Sequence, residues 1–61
     1  MNKLELESMQ VAADLYVEFY RAGHSFNVSL DLAARKLADA NSGTSFAIER
    51  ELVKRAVDAL I

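Results

Sequence analysis

His24 stands directly before Ser25, and a serine beside an imidazole is the smallest pair that could form a nucleophile and its general base. Such a pair works only with a group that orients the base and donors that hold an oxyanion, and the sequence offers no candidate for either. The carboxylates of Glu5, Glu7, Asp14 and Glu18 could in principle share acid and base roles, but their spacing makes them solubilising groups along one helix. With one histidine, no cysteine and no glycine-rich phosphate loop, neither a metal cluster nor a nucleotide cradle can be assembled from known patterns. The expectation is therefore a non-enzyme with no catalytic residue, no metal, no cofactor and no small-molecule substrate.

Sixty-one residues make one domain. A chain of this size buries only about 60% of its unfolded surface, so its core is thin unless disulfides, metal or self-association reinforces it. The absence of cysteine leaves self-association, with a homodimer the commonest closed form. Hydrophobic residues make up 52% of the chain and proline is absent, which places it among folded rather than disordered sequences. No apolar run reaches the roughly 20 residues that span a bilayer. Acids at Glu5 and Glu7 interrupt any leader-like stretch, so a cytoplasmic location is expected.

Three helices must position whatever surface the protein uses. The first spans about residues 3–22, opened by an Asn2 cap with Glu5 three residues on and closed by Gly23. The second spans about 30–41 with Ser29 as its cap, carrying the four-apart pairs Asp31/Arg35 and Arg35/Asp39. Asn41 to Ser45 is turn chemistry, and the third helix follows over about 46–60, capped by Thr44 or Ser45. Its apolar stripe runs through Ile48, Leu52 and Ala56, and no internal repeat is evident. The fold class is all-α, a long helix followed by two shorter ones, in a homodimer.

The first helix is apolar over roughly 240° of its circumference, against little more than 100° for an ordinary surface helix. Glu7, Gln10, Asp14, Glu18 and Arg21 occupy the remaining narrow side. Met9, Ala12, Ala13, Tyr16, Phe19 and Tyr20 meet the i, i+3, i+4, i+7 spacing of a helix that docks on another, and they are the candidate protein interface. Methionine and aromatic residues are enriched at the centres of such interfaces. The reading is a small protein-interaction module of bacterial or phage type: a regulator, an inhibitor or an adaptor.

The alternative is a dimeric DNA-binding regulator. Net charge is −2, with the first 23 residues holding four acids against two bases and the rest neutral, so DNA would meet residues 24–61. Ser25-Phe26-Asn27-Val28-Ser29-Leu30 alternates polar and apolar side chains, which is strand periodicity, and two helices follow. That order resembles the ribbon-helix-helix repressors. The resemblance implies a helix plus ribbon-helix-helix fold, with Ser25, Asn27 and Ser29 facing DNA and Phe26, Val28 and Leu30 facing the core. A helix-turn-helix version would instead use Arg35, Lys36, Arg50, Lys54 and Arg55.

Overall fold

The computed structural model describes residues 3–61, which form three α-helices and, among the described residues, no strand: α1 (Lys3–Arg21), α2 (Phe26–Ala40) and α3 (Phe46–Leu60). The asparagine expected to cap α1, Asn2, lies outside the described residues. Every helix packs on both others. The Cα trace measures 32 × 24 × 14 Å. Nineteen residues at a rise of about 1.5 Å make α1 the long dimension, and a 14 Å thickness holds two helix layers with axes about 8–10 Å apart.

Segment 25–30 is where the sequence reading is corrected. It is neither a strand nor a loop: Ser25 is the N-cap of α2, its Oγ accepting from Val28 N at 3.3 Å, and Phe26–Leu30 is the first turn and a half. A strand would send Phe26, Val28 and Leu30 to one face. The helix, turning about 100° per residue, buries Ser29 and Leu30 instead and leaves Phe26 and Val28 exposed. The second helix accordingly begins one turn earlier than residue 30, and the segment with strand periodicity is helical.

The same four-residue unit starts both later helices. Gly23-His24-Ser25-Phe26 and Gly43-Thr44-Ser45-Phe46 each put glycine at positive φ (+107° and +96°), then a serine cap, then a phenylalanine in the first helical position. Ser45 Oγ accepts from Ile48 N at 3.2 Å, matching Ser25. In each unit the residue before the cap is tied to a buried polar residue five positions on. Ser29 Oγ donates to the His24 carbonyl at 3.4 Å, and Thr44 Oγ1 donates to Glu49 Oε1 at 2.9 Å. These are the two positions that a hydrophobic staple occupies in other helices; here the staple is polar.

The helix ends differ. After α1, Gly23 N donates to Tyr20 O at 3.1 Å and His24 N to Phe19 O at 3.3 Å, the paired bonds of a Schellman motif. The Phe19 and His24 rings, 6.1 Å apart, supply its side-chain contact. At the end of α2, Asn41 donates to Leu37 O from both its backbone N and its side-chain Nδ2, each at 3.0 Å.

The core is small in both senses. Its apolar members are Met9, Ala12, Ala13 and Tyr16 from α1, Leu30, Ala33, Ala34 and Leu37 from α2, and Val53 and Ala56 from α3. Half of these are alanines, which let the helices approach closely but bury little area each.

Candidate functional site

The structure divides the six α1 residues nominated as an interface. Met9, Ala12, Ala13 and Tyr16 are at most 8% exposed and face α2 and α3 within the subunit. Phe19 is half-buried against that core, and Tyr20 is 53% exposed. Tyr16 ties the two groups together: its ring lies 5.6 Å from Tyr20 and 5.9 Å, edge-on, from Phe26. Of the six, therefore, only Tyr20 is exposed, with Phe19 exposed in part.

A separate cleft of about 440 Å³ lies at the other half of α1. Leu4, Glu7, Ser8 and Val11 form one wall, Leu37 and Asn41 at the end of α2 a second, and Glu49 and Leu52 of α3 the third. Leu4 and Val11 are 74% and 52% exposed. Ile48, 63% exposed, lies one helical turn before Leu52 on the same side of α3. Glu49 is held by the Thr44 hydroxyl, so its position is fixed by the turn unit at the start of α3. No sequence signal marks this cleft, because its walls come from three helices. Leu4 and Val11 are legible only as two apolar residues beside one edge of the polar side of α1.

The residues nominated for DNA are placed as follows. Ser25 is used as a cap, Asn27 is exposed, and Ser29 is fully buried with its hydroxyl on the His24 carbonyl, so it cannot face a partner. The expected pairs Asp31/Arg35 and Arg35/Asp39 do not form. Asp31 instead accepts from Arg50 Nε at 2.6 Å, linking α2 to α3, and the Arg35 guanidinium sits 5.9 Å over the Phe46 ring. Lys36, Lys54 and Arg55 are exposed.

His24 and Ser25, the one Ser/His pair, have local duties in the two helix ends just described. Gln10 Nε2 donates to Asp14 Oδ1 at 3.0 Å along the exposed side of α1. Among the described residues no group of three acidic or histidine side chains could hold a metal ion, and no helix is long and apolar enough to cross a membrane. What the arrangement offers chemically is an open cleft of mixed lining, with four apolar side chains beside Ser8, Asn41 and two carboxylates, and a ring cluster at the junction of α1 and α2. No protein-family model, curated protein or solved structure matches the chain.

Proposed function

We propose that this chain is a small non-enzymatic protein-interaction module, a regulator, inhibitor or adaptor that works as a homodimer and docks through the apolar surface α1 leaves outside the core. One observation carries the reading. Five large apolar side chains are buried (Met9, Tyr16, Leu30, Leu37 and Val53), whereas ten are exposed among the described residues, four of them on α1. Single exposed apolar residues are ordinary, but twice as many large apolar side chains outside as inside leaves a surplus that a partner would cover. A core resting on alanines also gains more than most from a partner that covers additional area.

The engagement of Arg35 with Phe46 and of Arg50 with Asp31 favours a protein partner over DNA, since two of the five candidate phosphate contacts are committed within the molecule. In this reading self-association centres on Tyr20, which is exposed and combines apolar area with a hydroxyl that tolerates water. The test is sedimentation equilibrium over a wide concentration range, with Tyr20→Glu alongside the wild type. A dimer that Tyr20→Glu converts to a folded monomer supports the placement. A wild type that sediments as a monomer throughout removes the homodimer, and a dimer indifferent to Tyr20→Glu removes its location.

A further inference from the structure

The cleft between α1, the end of α2 and the start of α3 differs from the rest of the exposed apolar surface in its charge. Among the described residues its lining includes two carboxylates, Glu7 and Glu49, and no lysine or arginine. The carboxylate of Glu49 is held in place by Thr44, on a residue only 8% exposed. On α1, Glu7 opens a row that continues seven and eleven residues later with Asp14 and Glu18, bordered at its ends by Lys3 and Arg21. At about 100° per residue this row runs beside Leu4 and Val11, so the cleft combines apolar anchors (Leu4, Val11, Leu37 and Leu52) with Ser8, Asn41 and two acids, and is acidic along its α1 edge.

We infer that the cleft receives a basic amphipathic helix from another protein, its apolar anchors entering between Leu4, Val11 and Leu52 and its lysines or arginines meeting Glu7 and Glu49. This deepens the interaction-module reading and rests on it. Leucine and valine side chains along a groove take helical anchors at i, i+3, i+4 and i+7, while its polar and acidic members meet the helix's polar side, and complementary charge sets orientation and excludes acidic competitors. A second copy of the chain is the poorer fit. Its most exposed helix, α1, carries four acids against two bases and would bring like charge to the acidic edge.

The test uses a synthetic helical peptide of about 18 residues, five turns, built from leucine and lysine at amphipathic spacing, and its leucine/glutamate counterpart. Binding is followed by calorimetry and located by backbone amide NMR shifts. The lysine peptide is expected to bind and to shift residues around Leu4, Val11, Asn41 and Leu52, and the glutamate peptide is expected not to bind.

Four variants separate cleft docking from general attraction to an acidic protein. Val11→Glu and Leu4→Glu make the surface more acidic yet should weaken binding by about tenfold, because an apolar contact is lost. Glu7→Lys should weaken it by a similar factor. Asp58→Lys, an equal charge change on exposed α3 surface, should stay within about twofold. A wild type that ignores the lysine peptide overturns the proposal, as does a Val11→Glu protein that binds it as well or better. NMR shifts in the cleft that grow with protein concentration and no peptide would assign it to a second copy and likewise overturn it. The interaction-module reading stands in all three cases if sedimentation shows a Tyr20-dependent dimer, and falls only if both tests fail.

Discussion

Thr44 Oγ1 donates to Glu49 Oε1 at 2.9 Å, joining the residue just before the α3 cap to the fourth residue of the helix. The contact fixes an acid that is 8% exposed, at the edge of the cleft, and it reappears in altered chemistry where Ser29 bonds the His24 carbonyl. A hydrogen bond to a carboxylate is worth roughly twice a neutral one, so the two sites should respond differently to removal.

Thr44→Val keeps the shape of the side chain and deletes the donor. It should destabilise by about 1.5–3 kcal/mol in urea unfolding, the range for a hydrogen bond to a charged group. Ser29→Ala removes a longer 3.4 Å bond and replaces it with a residue suited to a helix interior, so its cost should be nearer 1 kcal/mol or below. Equal costs would mean that the Thr44 hydroxyl contributes no more than local packing.

The two serine caps give a second comparison. Ser25→Ala and Ser45→Ala each leave a first-turn N–H without its side-chain acceptor, at an expected cost of about 1 kcal/mol each. In a domain of this size that lowers Tm by about 4–8 °C. The two caps have no partner in common, so the double variant should lose the sum. A much smaller loss for Ser25 would show that the Schellman closure at Gly23 and His24 already fixes the start of α2.

The elements were legible in the sequence where a local signal decides them. Gly23 ends α1 as expected, Asn41 closes α2, and α3 runs over the expected residues. Over 25–30 the sequence supports a cap at Ser29 with α2 from about residue 30 and, as the alternative, a strand, because Phe26, Val28 and Leu30 alternate with polar residues. The signal for the earlier start is Gly-x-Ser-Phe, which occurs twice, twenty residues apart, the second copy opening α3 just as the first opens α2. The breadth of α1 was also legible, but its division was not. Core and interface ask for the same residue types, and only the packing of α2 and α3 decides that Tyr16 is inside and Tyr20 outside. The cleft, assembled from three helices, left no pattern along the chain.

Asp31 and Arg50 supply a prediction in which a small number is the informative result. Their side chains are 46% and 30% exposed, and the pair joins two helices nineteen residues apart in sequence. A double-mutant cycle with Asp31→Asn and Arg50→Gln should give a coupling of about 0.2–1 kcal/mol, the range for solvent-exposed pairs. It should shrink as salt rises, since the screening length falls from about 10 Å at 0.1 M to about 3 Å at 1 M. A salt-independent coupling above that range would show that the pair is better shielded from water than its exposure implies.

The alanine core makes the sharpest packing prediction. Ala12, Ala33, Ala34 and Ala56 have no exposed surface, so the helix separations around them are set by a single methyl group. Ala33→Leu must push helices apart or force side chains off their rotamers, and should destabilise by about 1–3 kcal/mol or more although it adds apolar bulk. Ala47→Leu, on the exposed side of α3, should change stability by less than about 0.5 kcal/mol. Overpacking one face of α2 should also reach the cleft, because Leu37 sits one turn further along that face and forms its wall. Amide shifts of Leu37 and Leu52 in the Ala33→Leu protein check that coupling directly. If they are unchanged while stability falls, the cleft wall is held by α1 and α3 and does not depend on the spacing set at Ala33.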